Sequence, residues 1–127
     1  MAGYLLDTTT IIDHLRGNKK INSYLEEIGQ RGDIVGCCCI NVAETYTGMK
    51  EKEREKTDKF IENLYYFKVT KEIAKLAGEL RQKYFKKGKT LATTDVIIAA
   101  AAITYGLILV TKNVKHYPFP ELEIKEI

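Results

Sequence analysis

Short apolar runs alternate with stretches of helical periodicity along this chain, with no internal repeat and no low-complexity linker. GYLLD at 3–7 is apolar up to its last residue, the pattern of a short strand buried on both faces. Behind it, Ile11, Ile12 and Leu15 share one side of a helix that Thr8 or Thr9 can cap and Gly17 ends. Ile21, Tyr24, Leu25 and Ile28 stand at i, i+3, i+4 and i+7 and predict a second helix, broken by Gly29 and Gly32. IVGCCCI at 34–40 predicts the second strand, and Asn41 then caps a short helix over NVAETYTG. MKEKEREKTDKFIENL opens polar and gains an apolar side at Phe60, Ile61 and Leu64, so it predicts a solvated helix docked by its C-terminal half. YYFKV at 65–69 predicts a third strand. Ile73, Leu76, Ala77, Leu80 and Tyr84 predict an amphipathic helix over 71–85 that stops near Gly88. TTDVIIAAAAITYG predicts a helix capped by Thr93 or Thr94, its alanines letting it press close to a sheet. LILVT at 107–111 and LEIKEI at 122–127 predict a fourth strand and an edge strand. Strands alternating with helices predict an α/β fold with a mainly parallel sheet of four to five strands.

Composition narrows the class without naming a function. The 127 residues fit one domain, 1–127, and the 45% hydrophobic and 29% charged content is that of an ordinary globular protein. No charged-then-apolar leader opens the chain, and the longest apolar run, VIIAAAAITYGLILV at 96–110, is shorter than a bilayer span. A cytoplasmic protein with no membrane partner is expected. The net charge of +3 neither announces nor excludes a nucleic-acid binder. Cys37, Cys38 and Cys39 are consecutive, so in a strand they point to alternate faces, which suits neither a metal cage nor a mutual disulfide. They read as small apolar residues of a buried strand in a reducing compartment.

Parallel sheets bind ligands beyond the C-terminal ends of their strands. Four polar residues fall there: Asp7 at the end of the first strand, Glu44 just after the second, Asp95 at the start of the helix before the fourth, and Asn113 two residues after the fourth. Taken singly, helix capping is the simpler account of Asp7 and Asp95; Glu44 has no opposite charge close by in sequence to explain it. Gathering three carboxylates raises their pKa values and weakens the fold, a penalty that a bound cation removes. Carboxylates, an amide and room for water are the donors that Mg2+ or Mn2+ prefers. Such an ion activates water and steadies charge on a phosphoryl group, which makes phosphodiester hydrolysis the matching reaction. Nucleophilic alternatives find little support: Ser23 is the single serine and lies on a helix without a partner, and His14 reads as a surface residue. Asp13 lies about 120° round the helix from Asp7 and stays outside the shell, whereas Thr8 is placed to offer a hydroxyl to water at the site.

At these residues the chain resembles the PIN-domain family, and within it the VapC-type toxin ribonucleases. The matching stretches are YLLDTTTIIDHL, INVAETYTG, TTDVIIAAAAITYGLILVTKN and VKHYPFPELEI, which sample nearly the whole chain in order. The resemblance implies a three-layer α/β/α sandwich and a metal-dependent endoribonuclease. Asp7, Glu44 and Asp95 match the family's three acidic positions, Thr111 the place of a hydroxyl near the metal, and Asn113 a fourth position that is frequently aspartate. Asn41, three before Glu44, stands where the family often has Ser or Thr. In this reading Asp7 and Asp95 bind Mg2+ or Mn2+ directly, while Glu44 and Asn113 hold water for in-line attack. Replacing Asp7 or Asp95 by Ala is then expected to abolish cleavage with the fold intact. The resemblance also implies an RNA substrate, a small antitoxin protein that blocks the acidic pocket, and a homodimer, for which the LYYF patch at 64–67 and the side around Phe60 would serve as a surface.

An acidic pocket that takes RNA needs positive charge around it, and Arg16, Lys50, Lys112 and Lys115 are the residues placed to supply it. KKGKT at 86–90 ends like a nucleotide-binding P-loop, but Lys83 stands where that motif needs its first glycine, and the segment follows a helix instead of a strand. Two rivals remain within the family, a non-catalytic module that binds RNA or protein and a housekeeping RNA-processing nuclease. Metal-dependent cleavage separates the first, and a neighbouring reading frame for a DNA-binding antitoxin the second. A phosphoryl-accepting receiver domain is disfavoured, since it needs an acidic pair after the first strand and an aspartate after the third, where this chain has Asp7 alone and YYFKVT.

Overall fold

A computed structural model of the chain describes residues 2–127. In chain order the elements are β1 (Gly3–Leu6), α1 (Thr8–Leu15), α2 (Lys19–Gln30), β2 (Ile34–Cys37), α3 (Cys39–Gly48), α4 (Arg54–Asn63), β3 (Tyr65–Tyr66), α5 (Lys71–Lys86), α6 (Thr93–Tyr105), β4 (Ile108–Thr111) and β5 (Glu123–Glu126). Short 3-10 turns lie at Glu51–Glu53 and Val114–His116. The five strands form one parallel sheet in the order β3-β2-β1-β4-β5. The connections leave β1 in one direction across the sheet and resume on its other side at β4, so the crevice between the C-terminal ends of β1 and β4 is the switch point where ligands bind in such sheets.

Alternation along the strands builds the three layers. Leu5 and Leu109 face one side with α5, α6, Tyr117 and Phe119. Tyr4, Leu6 and Val110 face the other with α1, α2 and the half-buried Phe60, Ile61 and Leu64 that follow from α4. Ala99, Ala100, Ala101 and Ala102 are all fully buried, because α6 lies between the sheet and α5. The result is the α/β/α sandwich expected.

The structure departs from the sequence reading mostly at element ends. The α1 cap is Asp7, not Thr8 or Thr9. Ala92 precedes α6 with no side-chain cap bond, so neither Thr93 nor Thr94 caps it. β2 ends at Cys37, because the Asn41 side chain accepts the Cys38 N–H at 2.9 Å and pulls the chain into a helix. The cysteines therefore do not share a strand: Cys37 and Cys38 are buried on opposite sides of the sheet, and Cys39 is exposed. Gly29 is absorbed into α2, which ends before Gly32 at φ 75°. The third strand keeps only two residues, since Phe67 turns into the core. Gly36 is required where β2 meets this edge: a Cβ there would lie 2.4 Å from the Phe67 ring and from the Tyr65 carbonyl oxygen. His14 is half-buried, its ring 4.2 Å from that of Phe60 and its Nδ1 2.5 Å from Asn22 Oδ1. Burial holds its pKa below the ordinary value.

Candidate active site

β1 stops at Leu6 and delivers Asp7, 3% exposed, to the switch point. Asp7 Oδ1 accepts the Thr10 N–H at 2.9 Å and the Thr10 hydroxyl at 2.8 Å, and the Thr111 hydroxyl at the end of β4 donates to Oδ2. The Asp7 N–H donates to the Val110 carbonyl at 3.1 Å. Two donors on Oδ1 and one on Oδ2 leave this carboxylate a single free lone pair, on Oδ2.

Glu44 comes from the second turn of α3. Its Oε1 accepts the Thr8 hydroxyl at 2.6 Å, and the fully buried Asn41 one turn earlier sends Nδ2 toward Thr8 Oγ1 at 3.5 Å. Thr8 thus spends its one proton on Glu44 and keeps an acceptor for water. Asp95 stands in the first turn of α6, with His116 Nδ1 3.6 Å from its Oδ2. Its carboxyl is raised above the ordinary range, foremost by burial and further by the charges of Glu44 and Asp7, with His116 acting the other way. Tyr117 is 4% exposed, and burial foremost, then the charges of Asp7, Asp95 and Glu44, push its phenol far above the usual value. The three carboxylates therefore share one electrostatic environment. Asn113 donates its N–H to Thr111 Oγ1 at 2.9 Å and its Nδ2 to Thr9 Oγ1 at 3.3 Å.

Asp7, Thr8, Glu44, Asp95 and Asn113 all line one open cavity of about 310 Å3, together with Thr9, His116 and Tyr117. Thr111 lies behind it and acts through Asp7. Among the described residues no three His, Cys, Asp or Glu side chains draw close enough together to hold a metal ion between them. The carboxylates of Asp7, Glu44 and Asp95 with the Asn113 amide are oxygen donors that suit Mg2+ or Mn2+, held by one or two carboxylates with water in the other positions. The raised Asp95 is the cost that such a cation removes.

The basic residues are scattered more widely. Lys112 Nζ is 2.9 Å from Asp13 Oδ2, so Asp13 anchors the residue next to Asn113 and has no part in the cavity. Lys115 is exposed beside His116. Arg16 ends α1 far from its Asp7 cap and lies 3.6 Å from Glu53, and Lys50 borders the same turn, its N–H donating to Glu53 Oε1 at 2.8 Å. Phe60 is spent on His14, whereas Tyr65 and Tyr66 remain exposed. Sequence reasoning did not single out Thr10 or Tyr117, and named Thr9 only as a helix cap. Thr10 was legible as the residue whose N–H a capping Asp7 would bind; Tyr117 carried no signal, since YPFP reads as a loop.

The family model of the PIN domain matches residues 4–122. The chain belongs to the PIN domain family. Among proteins similar to this PIN domain is Ribonuclease VapC19 of Mycobacterium tuberculosis, 32% identical over 120 residues that cover 94% of this chain and 96% of that protein. Ribonuclease VapC2 of Rickettsia felis is 29% identical over 121 residues, covering 90% of this chain and 89% of its own. Among solved structures, VapBC2 from Rickettsia felis bound to a DNA fragment from its promoter superposes with a TM-score of 0.86 at 24% identity over 98% of each chain. That is a likeness of fold. A toxin–antitoxin complex from Klebsiella pneumoniae gives 0.79 at 26% identity, covering 98% of this PIN domain and 99% of that chain.

Proposed function

We propose that this PIN domain is a divalent-metal-dependent endoribonuclease and the toxin member of a toxin–antitoxin pair. The observation that carries the reading is the convergence of Asp7, Glu44, Asp95 and Asn113 on one cavity at the β1/β4 switch point. The names of the relatives, ribonucleases of the VapC type, support RNA as the substrate, and the complexes among the structural neighbours support a small antitoxin as the partner. RNA as substrate agrees with work in the cytoplasm, and no helix among the described residues is long and apolar enough to cross a membrane.

Asp7, through its free Oδ2 lone pair, and Asp95 would hold Mg2+ or Mn2+. When bound, the ion supplies a Lewis acid for the phosphoryl oxygens and a lowered pKa for water. Glu44, exposed at the cavity mouth and oriented by Thr8, accepts a proton from the attacking water. Asn113, neutral and tied to Thr9, orients water without adding to the repulsion between the carboxylates. Thr111 and Thr10 fix Asp7 so that it does not reorganise as charge builds on the phosphate. Lys112 and Lys115 flank Asn113 as phosphate contacts; Arg16 and Lys50 would meet RNA only further out, beside Glu53. Pairing with a second copy belongs to the same proposal, and the exposed Tyr65, Tyr66 and Tyr105 offer it an apolar surface.

Incubating the purified chain with a mixed RNA pool tests the reading. Cleavage in Mg2+ or Mn2+ that stops with chelator is expected, and it persists at a 2′-deoxy nucleotide, because water and not the 2′-hydroxyl attacks. Cyclic phosphate ends, or cleavage indifferent to chelator, would refute it.

A further inference from the structure

The KKGKT stretch, rejected as a nucleotide loop, has a place in the fold that its sequence did not show. Residues 81–95 hold five cations, Arg81, Lys83, Lys86, Lys87 and Lys89, against one carboxylate, Asp95. That surplus of four exceeds the +3 of the whole chain, so the rest of the molecule is net negative. None of the five forms an ion pair among the described residues. Lys83 and Lys86 lie in the last turn of α5, where a cation complements the helix dipole. That account does not extend to Lys87 and Lys89, which lie past the helix end; Lys87 Nζ rests 5.6 Å from the centroid of the Tyr84 ring, a contact that leaves its charge in place.

The loop is held in place at both ends. Gly88 turns the chain at φ 84°, and the N–H groups of Lys87 and Lys89 both donate to the Tyr84 carbonyl, at 3.0 and 2.9 Å. The Arg81 Nε donates to the Leu91 carbonyl at 2.8 Å. The Tyr84 hydroxyl donates to the Pro118 carbonyl, tying the end of α5 to the segment that carries His116 and Tyr117 into the cavity. Lys89 is three residues before Ala92, which lines the cavity, so the two Cα atoms are at most about 11 Å apart. A fixed cationic loop without ion pairs among the described residues, with the Lys87 ammonium against the Tyr84 ring, thus leads within three residues into the lining of an acidic cavity.

We infer that Lys86, Lys87 and Lys89 form a phosphate-binding ledge that grips the single-stranded RNA backbone on the α6 side of the cavity, a few nucleotides from the bond to be cut. The inference rests on the ribonuclease reading above and adds to it a direction: the strand leaves the cavity across Ala92 and Thr94 toward the loop.

The test measures binding of a labelled single-stranded RNA of mixed sequence to the full chain carrying Asp95→Asn, which suppresses cutting. Lys86, Lys87 and Lys89 are replaced together by Gln, and separately by Arg. Each lost phosphate contact on a single strand removes about 0.7 from the slope of log affinity against log salt, so the Gln variant should be shallower by about two. Between about 50 and 200 mM salt the unsubstituted loop should then lose about 15-fold more affinity than the Gln variant. The Arg variant keeps the steep slope, and with Asp95 restored the Gln variant loses activity through KM. An unchanged slope in the Gln variant, in a chain that cleaves RNA, overturns the ledge and leaves the ribonuclease standing. A chain that neither binds nor cleaves RNA overturns the ribonuclease reading itself.

Discussion

Asp7 and Asp95 sit on the same cavity but stand in opposite relation to the fold. Asp7 caps α1 and accepts the buried hydroxyls of Thr10 and Thr111. Asp7→Ala therefore removes a cap worth about 1–2 kcal/mol and leaves the buried Thr111 hydroxyl without its acceptor at about 1–3 kcal/mol more, while Thr10 keeps the Val110 carbonyl at 3.1 Å; a lowered urea midpoint measures the loss. The sequence alone led to the expectation that alanine at Asp7 leaves the fold intact; the cap and the Thr111 hydroxyl lead to the opposite prediction. Asp95 is the reverse case. Burial, with the charges of Glu44 and Asp7, raises its carboxyl above the ordinary range against the opposing pull of His116 and Tyr117. Its ionised form is thus harder to keep in the folded chain than in the unfolded one. It subtracts from stability above its raised folded pKa, and the penalty fades as pH falls toward the ordinary 3.8 and below. Asp95→Asn should raise the melting temperature at pH 7, with the gain over the parent closing as calorimetry is repeated at lower pH. A variant no more stable at pH 7 would show that the carboxylate carries no such penalty.

At the scale of elements, periodicity made the helices legible, and α2, α5 and α6 lie where their apolar spacing put them. Their ends were harder to read, because single side-chain hydrogen bonds decide them. Asn41 converts the last cysteines from strand to helix, and Asp7 takes the cap from its threonine neighbours. β3 was overextended for a different reason: YYFKV alternates poorly, and Phe67 gives up strand geometry to fill the core behind Gly36. The β2–β3 edge therefore depends on a missing side chain. Gly36→Ala places a methyl against backbone as well as the Phe67 ring, and should cost about 1–3 kcal/mol by overpacking. Chemical denaturation measures it, and faster amide exchange at Tyr65 and Tyr66 would locate the damage at this edge. A silent substitution would mean that the edge yields without cost.

Across the whole molecule, the rule that parallel sheets bind at strand C-terminal ends was enough to bring four distant residues to one cavity from sequence alone. It could not supply Tyr117, whose position depends on how the chain folds back after β4, nor the lone-pair count that leaves Asp7 one free site. Charge near a site in sequence says little about what a side chain meets: Arg16 lies 3.6 Å from Glu53, whereas Lys112 is 2.9 Å from Asp13 beside Asn113. What unites these features under the proposed function is an acidic cavity whose cost a divalent cation would relieve and put to use on RNA. Single-turnover cleavage of labelled RNA in Mn2+, comparing the parent chain with Asp95→Asn, tests this most directly. The account predicts chelator-sensitive cleavage by the parent. It predicts a loss in the variant greater than the roughly 10–100-fold typical of groups behind a metal ligand, even though the variant is the more stable protein. Equal metal-dependent rates from the two proteins would contradict it.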